Sequence, residues 1–188
     1  KTGFFYRNSH PYTDYNYYFI TDSQGATKHI NLRTPLSGNP ARKINDFVDF
    51  KHHEKNDKNL LISGQLWVGE RFDVRNQRSF SFGFPNMVDG SGVKFRTDFI
   101  GRSPLVSTLS VFYEGQLIEN SKISPVSYNF TGDYAKKITI QDSIESTKNP
   151  LKLTLEYEKS SSSSLGWLDY ITVNAKRELK MDGEQMHF

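Results

Sequence analysis

Apolar and polar residues alternate along most of the chain, and a period of two predicts β-strands. In 79–84 every even residue is Phe and every odd residue is Ser or Gly. In 151–158 the odd residues are Leu or Tyr, whereas the even residues are charged or Thr. No segment sustains the 3.6-residue period of a helix. The predicted strands are 17–21, 26–32, 60–68, 79–84, 93–100, 109–113, 116–118, 128–130, 136–141, 151–158 and 168–175, with 44–50 either a strand or a short helical turn.

The spacing of these strands predicts the fold class. About nine or ten strands recur every 8–12 residues or so, which is typical of antiparallel sandwiches and barrels. Because the strands are long and their connections vary in length, we predict an all-β fold. It is a two-sheet antiparallel, jelly-roll-like β-sandwich with little or no helix.

A loop rich in Pro and Gly at 35–40 is the predicted internal boundary. Residues 1–45 are interpreted as a β-hairpin and loop segment that continues from upstream sequence. Residues 46–188 are interpreted as the β-sandwich, and the two parts together as one compact unit. The chain starts at Lys1, and 185–188 has the pattern of an interrupted strand, so we expect a fragment cut at both ends.

The stretch 52–72 combines the strongest strand pattern with the densest chemistry. Its even apolar residues from Leu60 to Val68 share one face, which we expect to build the centre of the sandwich. Gly64 and Gly69 are expected at bends or at places where two backbones approach closely.

Composition excludes several classes of function. The chain has no Cys, which rules out a disulfide, a thiolate metal site and a cysteine nucleophile. The net charge is +3 with scattered Lys and Arg, so we expect no nucleic-acid partner. No apolar run reaches the roughly 18 residues of a membrane span. Aromatic residues make up 14% of the chain and supply the material for a core.

Four stretches, in this order, resemble one known family. They are Asn8, Tyr12 and Tyr17-Tyr18-Phe19; His53-Glu54, Ser63-Gly64 and Trp67-x-Gly69-Glu70-x-Phe72; Ser81-Phe82-x-Phe84-Pro85-Asn86; and Trp167-Leu168-Asp169-Tyr170-Ile171-x-x-Asn174 with Leu179 and Gln185-Met186-His187-Phe188. This order is similar to the non-catalytic region that precedes the peptidase domain in PorU-type sortases. These are gingipain-like cysteine peptidases of the type IX secretion system of Bacteroidetes.

The resemblance implies a role without catalysis for this chain, because no catalytic motif of the family is present. It implies a downstream peptidase domain of the same parent as partner, together with outer-membrane secretion components or exported cargo. It also implies an exported protein at the cell surface or outer membrane, with the periplasm as the alternative. We expect no cofactor.

Trp67 and Trp167 have two interpretations. They are either stacking platforms for sugars, as in carbohydrate-binding modules, or core residues, which is the commoner fate of such aromatics. We favour the core. Together with Gly69, Glu70, Asp169 and Tyr170 they are interpreted as a structural signature.

The polar candidates also have two interpretations. His52, His53 and Glu54 offer metal ligands or an acid–base pair, but neighbouring strand residues point apart, so a solvated turn or a local hydrogen bond is favoured. For Glu70 and Asp169 we expect a structural hydrogen bond or an ion pair, with Arg71 or Arg177 as partner.

Two further sets of residues leave a ligand open. Asp57, Asp89 and Asp98 are oxygen ligands that a calcium ion would accept, and the sequence leaves metal binding undecided. Tyr15, Tyr17 and Tyr18 crowd both faces of a predicted strand, as at an interface or in a packed edge strand. With His53 and Glu54 they form the candidate interaction surface.

Two hypotheses follow. The first is a structural and interaction module of a surface peptidase, and the second is a carbohydrate-binding module of a secreted or surface protein. An independent enzyme is the least favoured.

Overall fold

The computed structural model describes residues 43–184 except 63 and 65, together with Phe5, Tyr15, Tyr18, Leu32, Gly38 and Asn39. The strands predicted at 17–21 and 26–32 lie outside the described residues, apart from Tyr18 and Leu32, and so does Tyr17. None of the described residues is helical.

The described part of the chain contains eleven strands. They are β1 (Asp46–Glu54), β2 (Lys58–Asn59), β3 (Trp67–Val68), β4 (Arg71–Phe72), β5 (Gln77–Phe82), β6 (Val93–Arg102), β7 (Ser107–Tyr113), β8 (Gln116–Ile123), β9 (Lys136–Ile144), β10 (Leu151–Glu158) and β11 (Leu165–Glu178). Residues 46–50 of the segment 44–50 thus belong to a strand, and no part of it is a helical turn.

The strands form two main antiparallel sheets. Sheet I has the order β1-β11-β6-β9, and β4 also pairs with β11 beyond the end of β1. Sheet II has the order β5-β10-β7-β8. The short strands β2 and β3 pair only with each other. The prediction of an antiparallel two-sheet, jelly-roll-like β-sandwich is confirmed.

The core lies between the sheets and follows the alternation of the sequence. In β10 the odd residues Leu151, Leu153, Leu155 and Tyr157 are all fully buried. Across the core they meet the odd residues of β6, and Leu168 and the odd residues of β11 from Ile171 to Ala175. Burying each large apolar side chain contributes about 1.5–3 kcal/mol, so these facing rows dominate the stability of the domain.

Two predicted strands are wrong. The described residues of 60–66 are not in a strand, because Ile62 and Gly64 both have left-handed backbone conformations with φ of 57° and 80°. The Asn59 side chain closes the turn, donating from Nδ2 to the Gly64 carbonyl and accepting from the Leu61 N–H. This stretch therefore does not build the centre of the sandwich. Residues 128–130 form a connection between β8 and β9 instead of a strand.

By its contacts the chain divides into two compact units, residues 8–44 and residues 45–188 with 1–7. That 46–188 fold as a domain of their own stays a prediction. Among the described residues, no helix is long and apolar enough to cross a membrane.

Candidate functional site

The outer face of sheet I, which points away from sheet II, carries an unusual number of buried polar groups. Side chains on this face come from the even residues of β1 and β6, the odd residues of β9 and the even residues of β11 beyond Leu168. Asp98, Asp169, Thr172 and Asn174 are all buried there, although a polar strand face is normally solvated. Such groups are stable only when they are paired.

A β-bulge directs one of these groups. The pairing of β11 with β6 shifts between Leu168 and Tyr170, so Asp169 is an extra residue without a partner in the ladder. A bulge of this kind bends the strand and re-aims a side chain. Here it directs the Asp169 carboxylate toward Lys137 of β9.

Lys137 is shared by two buried carboxylates. Its Nζ donates to Oδ2 of Asp169 at 2.8 Å and lies 2.8 Å from Oδ2 of Asp98. Asp98 also accepts a hydrogen bond from the Thr139 hydroxyl at 2.8 Å and lies 3.4 Å from Nε of Arg96. The lysine thus holds two carboxylates that would otherwise repel each other.

The two aspartates titrate in opposite directions. Burial raises the pKa of Asp98, but the hydrogen bonds from Lys137 and Thr139 outweigh burial, so the net pKa is lowered. The pKa of Asp169 is raised, chiefly by burial and also by the charges of Asp98 and Glu54, despite the hydrogen bond from Lys137. Burial lowers the pKa of Lys137, but the effect of its two carboxylate partners is larger, so the net pKa is raised. The ammonium therefore stays charged.

His52 lies on the same face, on β1. Its Nε2 donates to Oε2 of Glu54 at 3.0 Å, because a carboxylate can only accept. Its Nδ1 hydrogen-bonds to the Thr172 hydroxyl at 2.8 Å, and its ring stacks on Tyr170. Both ring nitrogens are therefore engaged within the sheet, and the local hydrogen bond expected for Glu54 is present.

His53 points to the other side, where β1 ends and β4 takes its place beside β11. Its Nε2 donates to Oε1 of Glu70 at 2.9 Å, and Nζ of Lys55 lies 3.2 Å from the same oxygen. Burial alone would raise the pKa of Glu70. The hydrogen bonds from His53, the Glu70 backbone and Lys55 outweigh burial and lower it to about 2.

Gly69 makes the junction of β1 and β4 possible. Its N–H donates to the Leu168 carbonyl, and the Leu168 N–H donates to the Glu70 carbonyl, so the chain pairs with β11 before β4 begins. A Cβ at Gly69 would lie 2.7 Å from Cβ of Lys55 and 2.9 Å from its carbonyl oxygen. The close backbone approach expected at Gly69 is present, as is the bend at Gly64.

The two tryptophans have different environments. Trp167 is 2% exposed and packs with Val68 and Ile100 in a small second core on the outer side of sheet I. Trp67 is 44% exposed, so the expectation that it is a core residue is wrong. The short β2–β3 ladder places Val68 on the buried side and leaves Trp67 near the solvent.

Other sequence candidates are not brought together. The predicted arginine partners are wrong, since Arg71 pairs with Asp73 and Arg177 with Asp49. Asp57 and Asp89 lie in connections at opposite ends of the sandwich, and Asp98 lies within β6. Among the described residues, no group of three or more acidic, His or Cys side chains could hold a metal.

The Tyr candidates cannot be joined to this site. Tyr15 and Tyr18, which are exposed, belong to the unit of residues 8–44, and Tyr17 lies outside the described residues. Sequence reasoning missed Lys137, Thr139 and Thr172. The alternation of β6 and β9 assigned their polar faces to solvent, and only the opposite charges of Asp98 and Lys137 hinted at pairing.

No family model matches the chain, and no curated protein matches it either. Its structure is similar to that of dimeric latent PorU from Porphyromonas gingivalis, with a TM-score of 0.64 and 23% identity. The likeness covers 77% of this chain and 14% of the PorU chain. At this identity the likeness shows a shared fold, so the chain has the fold of a PorU-like region.

Two carbohydrate-binding modules share the sandwich more distantly. The CBM36-1 domain of a multidomain xylanase from the hindgut metagenome of Trinervitermes trinervoides has a TM-score of 0.41 and 10% identity, over 69% of this chain and 96% of that one. A CBM36 module in complex with calcium and xylotriose has a TM-score of 0.40 and 13% identity, over 64% and 97%. Likenesses this low carry no argument about a ligand.

Proposed function

We propose that this chain is a non-catalytic β-sandwich module of a surface-exposed, gingipain-like cysteine peptidase of the sortase type. It supports or positions the peptidase domain of the parent, or the cargo of that domain. The observation that carries this proposal is the likeness to part of PorU, at a TM-score of 0.64 over 77% of the chain. The ordered sequence resemblance over nearly the whole chain supports it independently.

The chemistry of the polar groups also supports a structural role. Glu70 has a pKa of about 2 and bonds to His53 and Lys55, so it holds no proton to donate near neutral pH and is a weak base. Asp98 and Asp169 are held by the same ammonium. The sequence contains no Cys, which is the nucleophile that this class of peptidase needs.

The proposal is tested in the full-length parent. Deleting this module in frame is expected to reduce the surface processing of exported cargo, because the peptidase loses its support or its position. A second arm adds the separate 188-residue chain to the purified peptidase domain and measures binding by calorimetry, where a saturable complex is expected. Unchanged processing together with no complex would refute the proposal.

Carbohydrate binding is the second candidate, and the exposure of Trp67 favours it. Trp67 follows Leu66, which lines a pocket of about 230 Å³ with Leu60, Ile100 and Tyr134. Titration of the chain with a panel of polysaccharides would then shift the Trp67 fluorescence in a saturable way. A Trp67→Ala variant that stays folded and loses this binding would favour the second candidate over the first.

A further inference from the structure

Exposed apolar side chains gather at one end of the sandwich. This end, called the loop end, is where β6 and β10 finish and β9 and β11 begin. It includes the short β2–β3 ladder with its turn, and the connections 73–76, 103–106, 124–135 and 159–164. Among the described residues, the large exposed apolar side chains there are Leu61, Ile62, Leu66, Trp67, Val74, Leu105, Val106, Tyr128 and Phe130. The opposite end has Leu117, Leu179 and Met181. Such a concentration marks an interaction surface.

Three of these side chains project fully into solvent. Ile62 is 94% exposed, Val74 is 97% exposed and Phe130 is 105% exposed, and each comes from a different connection. These three side chains are called the tips. A rigid protein partner would need a matching cavity for each tip, whereas the fluid apolar interior of a bilayer needs none.

A cation that contacts two tyrosines, Arg102, lies at the same end. Its guanidinium lies over two aromatic rings, 4.1 Å from the ring centre of Tyr134 and 4.6 Å from that of Tyr128. Within the described part of the chain it makes no ion pair and no hydrogen bond. The two cation–π contacts restrain the group, and its N–H donors are left for a ligand oxygen. A guanidinium presented in this way suits a phosphate, which accepts two parallel hydrogen bonds.

The remaining charges at the loop end favour an anionic partner. Asp73 is neutralised by Arg71 and Lys159, and Asp133 is neutralised by Lys136. Three cations, Lys58, Arg75 and Arg102, form no ion pair with the described residues, and neither do two acidic residues, Asp57 and Glu158. These unpaired groups together carry one net positive charge.

We propose that the loop end docks on an anionic phospholipid surface. Arg102 binds a lipid phosphate, while the tips Ile62, Val74 and Phe130 enter the boundary between head groups and acyl chains. Basic side chains beside inserted apolar ones strengthen attachment to anionic leaflets. This surface borders the ion-paired site on sheet I, because Leu61 and Leu66 line one pocket with Lys137. The proposal does not depend on the role proposed for the module.

The test uses the full chain with vesicles of phosphatidylcholine alone and of equal parts phosphatidylcholine and phosphatidylglycerol. Binding is measured by co-sedimentation and by the fluorescence of Trp67, which lies at the loop end, whereas Trp167 is buried. We expect binding to the anionic vesicles, with a blue shift of Trp67 emission and quenching by brominated acyl chains. Inorganic phosphate alone is expected to leave the emission unchanged.

Matched variants locate the surface. Arg102→Gln and Phe130→Asn should each weaken vesicle binding by about tenfold or more, as expected for a lost charged hydrogen bond or a lost apolar anchor. Arg71→Gln, which removes a cation already paired with Asp73, and Leu117→Asn at the opposite end should change binding less than about twofold.

Absence of vesicle binding would overturn the proposal, as would binding that neither Arg102→Gln nor Phe130→Asn weakens. If inorganic phosphate binds equally well and gives the same Trp67 response, the phosphate does not come from a bilayer, and the proposal is wrong. If the vesicles fail and a purified domain of the parent protects Phe130 instead, the loop end is a protein interface and the proposal is wrong.

Discussion

Nε2 of His53 lies 2.9 Å from Oε1 of Glu70, although the two residues are 17 positions apart. His53 belongs to β1, and Glu70 directly precedes β4. This hydrogen bond closes the junction at which β1 leaves β11 and β4 takes its place. Glu70 is held by His53 and Lys55 around one oxygen, while its Oε2 has no partner among the described residues. The junction therefore depends on the negative charge of one carboxylate.

Glu70→Gln should lower the free energy of unfolding near neutral pH and make it depend less on pH in the acid range. The folded pKa of Glu70 is about 2, below the ordinary 4.5, so the carboxylate stabilises the fold above pH 4.5 and this stabilisation is lost as the pH falls toward 2. The difference corresponds to about 3 kcal/mol in the free energy of unfolding. Chemical denaturation at a series of pH values measures it. Glu158→Gln, at an exposed residue, serves as control. If the free energy of unfolding falls equally in acid for both variants, Glu70 does not have this role.

Lys137→Met should cost about 3 kcal/mol in the free energy of unfolding, because it leaves two buried carboxylates without their shared cation. The neighbouring Lys136 offers a matched control, since its partner Asp133 is well exposed. Lys136→Met should cost less than about 1 kcal/mol. Urea denaturation of both variants gives the comparison. Similar losses would mean that Lys137 acts only as a surface charge.

The sequence alone predicted the inner rows of the sandwich well, because in β10 burial and the two-residue alternation coincide. The alternation failed on the outer face of sheet I, where the polar Asp98 and Thr172 are buried. An alternation shows which residues share a face, but it does not show whether that face is covered.

The candidate site was harder to predict than the strands, because its contacts are long-range. Lys137 and Asp169 are 32 residues apart, and a bulge places Asp169 where no regular strand would. The apolar residues from Leu60 to Val68 led to a different error, because they predicted a strand where local contacts decide the conformation. Their pattern is that of a strand, but local hydrogen bonds of Asn59 and two left-handed residues turn the chain instead.

Trp67→Ala and Trp167→Ala should separate a surface aromatic from a core one. Trp167 is almost fully buried, and its truncation should cost about 3–5 kcal/mol. Trp67 is 44% exposed, and its truncation should cost about 1 kcal/mol, so that variant stays folded. Thermal and urea unfolding give both values. A larger loss for Trp67→Ala would mean that the β2–β3 ladder is essential to the fold.

Asp169→Asn and Asp98→Asn should have opposite dependences on pH. The pKa of Asp169 is raised in the fold, so stability that is present below its ordinary pKa is lost as the pH rises and the group ionises. Asn removes this loss and keeps an acceptor for Lys137. Relative to the wild type, Asp169→Asn should therefore gain stability from acid to neutral pH, as the wild-type carboxyl ionises.

The pKa of Asp98 is lowered, so its ionised form stabilises the fold, and that stability is lost as the pH falls. Asp98→Asn should therefore cost about 2 kcal/mol near neutral pH, because charged hydrogen bonds from Lys137 and Thr139 are lost, and less in acid. Denaturant midpoints measured for both variants across this range decide the matter. Because the pKa values of Asp98 and Asp169 shift in opposite directions, the plots of stability against pH for the two variants should diverge. If the two variants instead lose stability in parallel at every pH, the two carboxylates beside Lys137 do not differ in this way.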